Sequence, residues 1–322
     1  MTEASDTSRR PRRVLVTGAT GQDGSWLCEQ LVAEGAEVHG LVRRERPVLP
    51  AGVVPLAGDL RDEATLRAAI AACRPDEVYH LAAATSVAAS WEDPAGVEDV
   101  NVGGTTRLLA ALGDLAPQAR FCHASSAEIF GAPTGSPQGE DCPLAANTPY
   151  GRSKVAAHLA VAAARDRGLF ACSAILFNHE SPRRPPSFVT RRISIAVARI
   201  ARGLQHELVL GNLGAARDWG YAPEYVEAMT RMLRAPRAGD YVVATGRAIT
   251  VGRFAELAFA AAGLDWTRFV RTDSALVRPG EEAARVGDPS RIARELGWRA
   301  RTTVEELAAL MVDADLRLLA PA

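Results

Sequence analysis

Lysine is almost missing from this 322-residue sequence: of its 37 basic residues, Lys154 alone is not arginine. An excess of either charge is missing too, since 38 acidic residues leave a formal net charge of -1. That balance, with a pI of about 6.6, excludes a basic stripe able to track a nucleic-acid backbone. No apolar run reaches the ~20 residues that span a bilayer, so no membrane partner is expected. Cysteine pairing is also lacking. Cys28, Cys73, Cys122, Cys142 and Cys172 are odd in number, widely spaced and without a CxxC pair, which speaks against both a disulfide framework and a zinc site. No metal is expected, and the reducing cytoplasm is the expected compartment. The opening MTEASDTSRRPRR carries paired arginines, but the apolar Val14-Leu-Val-Thr-Gly that follows is too short for a signal core. Residues 1–12 therefore read as a disordered leader.

What is present is a globular composition, 48% hydrophobic and 23% charged, in a pattern that changes partway. Val14–Thr17, Glu37–Val42, Val53–Leu56, Glu77–Leu81, Arg120–Ala124 and Phe170–Leu176 read as strands, and segments 23–34, 62–73, 94–113 and 150–168 as helices. This alternation predicts an α/β fold, a Rossmann-type doubly wound parallel sheet over residues 13–177. From Asn178 onward a Pro/Arg-rich loop leads to a helix near 187–203 and then to smaller mixed elements. Residues 178–322 read as a smaller C-terminal α/β substrate domain, with segments such as Tyr241–Ala244 returning to the first sheet.

The first strand runs into Gly18-Ala-Thr20-Gly21-Gln22-Asp23-Gly24 and then a helix. Glycines there permit a tight turn and close backbone approach, so the free amides of the helix end can hold a pyrophosphate. The second strand ends in Arg43-Arg44, where an NAD site would place an acidic residue for the ribose hydroxyls. Guanidinium groups at that position suit a 2′-phosphate, which points to NADP; the other reading is a solvated arginine pair. Asp59-Leu60 and Leu81-Ala82-Ala83-Ala84 end the third and fourth strands, where the crevice would hold adenine and ribose.

Tyr150 and Lys154 stand at i and i+4 on one helical face. A phenol is a poor base at neutral pH, and a fixed ammonium beside it is expected to stabilise the phenolate. A compact ammonium also reaches a ribose in a way that a planar guanidinium does not. With Ser125-Ser126 ending the fifth strand, Ser126, Tyr150 and Lys154 resemble the catalytic set of a short-chain dehydrogenase/reductase. Glu128, two residues on, adds a second acid/base beside the hydride-transfer site, which would allow elimination or epimerisation next to a new carbonyl. The plainer reading of Glu128 is a solvated loop carboxylate.

These motifs, with ILFNHESPRR, SFVTRRI, LGNLGAARDWGYAPEYVEAM, DYVVATG, RPGE and LGWRA, resemble the GDP-mannose 4,6-dehydratase family of extended short-chain dehydrogenase/reductases across nearly the whole chain. The resemblance implies that Ser126, Glu128, Tyr150 and Lys154 are catalytic. It implies NADP contacts at Gly18, Thr20, Gly21, Gln22, Asp23, Gly24, Arg43, Asp59, Leu60, Leu81, Ala82, Ala83, Thr85, His179 and Arg184. Nucleotide-sugar contacts are implied at Asn178, Val189, Arg192, Arg217, Arg278 and Glu281, with a GDP-hexose as the expected substrate. It further implies C4 oxidation, loss of water across C5 and C6, and hydride return to C6. The chain differs from the family in a shorter segment after Arg44, which argues for a homodimer over a tetramer, in Ser86 at a histidine position near the sugar, and in Phe130 at a tyrosine position. The rivals are a nucleotide-sugar 4-ketoreductase or epimerase of the same fold, and a catalytically silent nucleotide-binding protein, which would not need all four catalytic residues.

Overall fold

Strands buried on both faces read as continuous apolar runs because helices cover the sheet above and below, and five of the first six strands here are of that kind. The computed structural model describes residues 10–43, 48–132, 135–277 and 284–320, so Arg44, Arg278 and Glu281 lie outside the described residues. The first half contains β1 (Arg13–Thr17), α1 (Gln22–Ala33), β2 (Glu37–Val42), β3 (Val53–Ala57), α2 (Glu63–Cys73), β4 (Glu77–His80) and the short α3 (Ala89–Glu92). It continues through α4 (Pro94–Glu98), α5 (Gly104–Leu115), β5 (Arg120–Ala124), α6 (Pro149–Asp166) and β6 (Ala171–Leu176). The second half adds β7 (Asn178–Glu180), α7 (Val189–Ala201), β8 (Leu208–Leu210), β9 (Ala216–Tyr221), α8 (Ala222–Arg234) and β10 (Asp240–Val243). It closes with β11 (Ala248–Thr250), α9 (Val251–Ala261), β12 (Val270–Thr272), α10 (Ser290–Leu296) and α11 (Val304–Leu318).

Seven strands form one parallel sheet in the order β10-β6-β5-β4-β1-β2-β3. The order reverses between β1 and β4, and in such sheets ligands bind at that reversal, beyond the strand carboxyl ends. β3 is the outer strand, half exposed, and tolerates Pro55 because an edge strand leaves one row of amides unpaired. The helix expected over 94–113 is interrupted. A π-helical turn, Asp99–Gly103, separates α4 from α5, and it turns Asn101 inward, where its amide bonds both Ala84 backbone groups and Ser153 Oγ.

The second half has its own core of Ile193, Val197, Trp219, Phe254, Phe259 and Met311, beneath a three-stranded sheet β11-β9-β7 and the pair β12-β8. Much of the remaining chain returns to the first half. β10 pairs with β6, and Tyr225, Met229, Met232 and Trp298 share one core with Val14, Leu27 and Leu31. The leader's last residues are tied down, Arg10 to Asp76 at 2.7 Å and Arg12 to Glu34 at 3.0 Å. Residues 10–12 thus lie among the described residues and residues 1–9 outside them. All five cysteines are free thiols, and no described helix is long and apolar enough to cross a membrane.

Candidate active site

The glycines between β1 and α1 are there for want of space. Gly18 has φ +74°, and a Cβ on it would lie 2.8 Å from the Ala82 amide nitrogen; one on Gly24 would lie 2.1 Å from the Gly18 carbonyl oxygen. Gly21 caps α1 without any side-chain hydrogen bond, so the first-turn amides are left for an anion, helped by the helix dipole. Thr17 Oγ1 accepts from the Ala82 amide at 3.2 Å and lies 2.8 Å from His80 Nδ1, which locks the end of β1 to the exit of β4. A dinucleotide diphosphate fits such a cradle: Gly18 and Gly24 have no room for a side chain, and the helix end stays open.

Gln22, Asp23 and His179 come together, but with their side chains engaged on one another. Gln22 Nε2 donates to the His179 carbonyl at 3.1 Å, and Ser181 Oγ donates to Gln22 Oε1 at 2.9 Å. His179 Nδ1 faces the Phe177 carbonyl at 2.7 Å and Nε2 faces Asp23 Oδ2 at 2.9 Å. Both partners only accept, so both ring nitrogens carry protons and the ring is an imidazolium. Burial works against both charges, and their pairing outweighs it: His179 is raised and Asp23 lowered from the ordinary values. Arg184 stacks on Phe188 at 3.7 Å, lies 3.3 Å from Glu180, and acts electrostatically on Asp23 and on Tyr150.

Ser126, Glu128, Tyr150 and Lys154 converge at the carboxyl end of β5. Ser126 Oγ accepts from the Glu128 amide at 3.2 Å and so starts the 3-10 turn Ala127–Phe130 that presents Glu128. Thr148 caps α6, accepting from the Gly151 amide at 2.9 Å, and Tyr150 and Lys154 follow in its first turns. Lys154 Nζ donates to the Ala124 carbonyl at 2.8 Å and lies 5.9 Å from the Tyr150 ring centre. Tyr150 departs from expectation. Burial pushes its hydroxyl up to about 12, aided by the Glu128 charge and opposed by a Ser126 hydrogen bond and by Arg184. Burial likewise pushes the Lys154 ammonium down, to about 8.

The other expected contacts stand mostly at the ends of strands and the starts of later elements. Asp59 follows β3, with Oδ1 accepting from the Arg61 amide at 2.9 Å, and Leu60 is buried. Leu81, Ala82 and Ala83 follow β4 half-buried, while Thr20, Arg43, Thr85, Ser86 and Arg192 are exposed. Asn178 opens β7, Val189 opens α7, and Arg217 lies on β9 with Nη1 donating to the Ala216 carbonyl at 2.7 Å.

Sequence reasoning missed three residues. Asn101 has no local motif, since its reach depends on the π turn. Asp218 was visible only as a letter in RDWG; its buried carboxylate accepts from Thr245 Oγ1 at 2.6 Å and from the Thr245, Gly246 and Gly287 amides. Arg285 lies 157 residues from Glu128 and forms an ion pair with its Oε1.

Residues 15–311 match the family model for GDP-mannose 4,6 dehydratase. The chain is 44% identical to GDP-mannose 4,6 dehydratase 2 of Arabidopsis thaliana over 98% of this chain and 90% of that protein. Among solved structures it is similar to a UDP-glucose 4-epimerase of Thermus thermophilus in complex with NAD, with TM-score 0.82 and 31% identity over 94% of this chain and 98% of that one. It is also similar to RMD from Pseudomonas aeruginosa complexed with NADPH, with TM-score 0.82 and 25% identity over 95% of this chain and 100% of that one.

Proposed function

Because the chain belongs to the GDP-mannose 4,6-dehydratase family, it is a nicotinamide-dependent hydro-lyase of nucleotide sugars, and we propose a division of labour among its residues. Tyr150 takes the C4 hydroxyl proton, helped by Ser126 and Lys154. The C4 ketone acidifies C5–H; Glu128 removes that proton and returns one to the departing C6 hydroxyl, which leaves as water. Bound NADP would supply the acceptor for the C4 hydride and its return to C6, as C5 regains a proton and Tyr150 gives up the one it took. The product is a 4-keto-6-deoxy sugar, a precursor for deoxysugar formation. The observation that carries this reading is the convergence of two acid/base groups, Tyr150 and Glu128, on one crevice with Ser126 between them.

NADP is favoured over NAD by Arg43 at the exposed end of β2, where an acidic residue is missing. Residues 13–177 would hold it, through Gly18 to Gly24, Asp59, Leu60, the 81–85 segment, His179 and Arg184 reaching across from the second half. Residues 178–322 would hold a GDP-hexose through Asn178, Val189, Arg192, Arg217, Arg278 and Glu281. We assign a homodimer, from the short segment after Arg44, and the cytoplasm, from five unpaired thiols. Incubating the purified enzyme with GDP-mannose and following loss of water by mass spectrometry tests the reaction. Failure to form a keto sugar, together with NADPH-dependent reduction of a 4-keto substrate, would overturn it in favour of a reductase.

A further inference from the structure

Glu128 and Arg285 reach each other from opposite walls of the crevice. Glu128 is presented by the turn after β5, its backbone fixed by Ser126 and by the close packing of Gly151, where a Cβ would lie 2.8 Å from the Glu128 carbonyl oxygen. Arg285 comes from the segment laid along β9, where the Arg285 carbonyl accepts from the Asp218 amide at 3.1 Å. The residues after it are clamped on their other side. The Gln138 amide donates to the Val286 carbonyl at 2.8 Å and the Asp288 amide to the Gln138 carbonyl at 2.8 Å. Gly287 permits this path, since a Cβ there would lie 2.3 Å from Ala244 Cβ and 2.9 Å from the Phe177 ring. The guanidinium therefore starts from a fixed backbone on both sides, and its side chain is 13% exposed against 22% for Glu128. A pair this sheltered is screened much less than a surface ion pair.

Two bases must act in one cycle within one small site, and the Glu128 charge raises the cost of a Tyr150 phenolate. A cation reaching Glu128 from the second half relieves that opposition while fixing the direction of the carboxylate. We infer that Arg285 is a positioning residue for the elimination step, holding the Glu128 side chain aimed across the crevice. This rests on the reading of Glu128 as the base that removes the C5 proton.

The test separates oxidation from elimination. Arg285→Leu and Arg285→Lys are compared with the unaltered enzyme and with Glu128→Gln, all NADP-loaded and mixed with GDP-mannose in single turnovers. Reduced-nicotinamide absorbance reports C4 oxidation, and mass spectrometry reports loss of water. Arg285→Leu is expected to keep oxidation within about threefold and slow water loss by about tenfold or more, so that reduced cofactor accumulates, with KM little changed. Arg285→Lys, which keeps a cation, is expected to recover a substantial part of the lost rate. Both steps falling in proportion, with no rescue by lysine, would mean that Arg285 only supports the fold. Unchanged water loss in Arg285→Leu with Glu128→Gln inactive would overturn the Arg285 role alone. Full dehydration by Glu128→Gln would remove the base assignment beneath it.

Discussion

Replacing Lys154 with methionine should make the protein less active and, near neutrality, relatively more stable than the loss of a buried hydrogen bond suggests. Burial lowers the ammonium from 10.5 to about 8, which corresponds to about 3 kcal/mol of folded-state penalty on the charged form. The folded value lies below the unfolded one, so below about pH 8 both states hold the proton and the whole penalty is present. Between about pH 8 and the unfolded value the folded state alone has released it, so stability rises with pH through that window. Methionine fills a similar volume and carries no charge, which abolishes the penalty at every pH. It also leaves the Ala124 carbonyl without the 2.8 Å ammonium contact, a cost of about 1–3 kcal/mol that does not vary with pH. The absolute difference near pH 7 is therefore small, but its change with pH is not. Relative to the unaltered protein, Lys154→Met should lose about 2 kcal/mol of standing between about pH 7 and pH 10. Tyr150 and the buried cysteines titrate in both proteins and cancel. Urea unfolding of the nucleotide-free proteins at a series of pH values measures the difference. A gap that stays constant over that range would refute the claim that Lys154 is held as a costly buried cation, and retained hydride transfer in the variant would refute its need.

Other perturbations bear on the remaining parts of the site. Glu128→Gln should leave nucleotide-sugar affinity intact and lower turnover by about 100-fold or more; isothermal titration and keto-sugar formation read the two quantities, and undiminished turnover would contradict the assignment. Arg43→Ala combined with Arg44→Ala should weaken NADP by about 10- to 100-fold and NAD hardly at all, and equal weakening in fluorescence titrations would refute the 2′-phosphate reading. Asp23→Asn should remove the His179 ion pair. The raised His179 keeps its contribution below 6.5 and loses it as pH rises through its folded value, while the lowered Asp23 keeps its own above 3.8 and loses it as pH falls. Thermal melts of the two proteins should thus differ most between about pH 4 and 6.5, and a difference independent of pH would show that the pair is not ionised.

The glycine loop and the Tyr150–Lys154 spacing were legible because each is local: a turn with no room for Cβ, and two positions on one helical face. The parallel α/β architecture was legible from alternation alone. Burial at a given position was not, which is why the rise of the Tyr150 hydroxyl was not anticipated; the cost of charging a group depends on what packs over it from distant segments. Asn101 escaped notice because an extra residue in the helix rotates it by an angle that no periodicity predicts. Arg285 escaped because its partner is remote in sequence and it stands just beyond the RPGE motif, not in it. In a chain with so many arginines, it was one more candidate among many.

The return of β10 to the edge of β6, with Tyr225, Met229 and Trp298 covering α1, has a practical bearing on dissection of this enzyme. A fragment ending near residue 177 would keep the whole glycine cradle and the Tyr150–Lys154 helix, yet it would bare an apolar helix flank and an unpaired strand edge. Such edges recruit other chains. Cofactor binding here is not a detachable module, and swapping the sugar-recognition half for that of a relative would require grafting loops between the returning elements in place of joining two halves at a single cut.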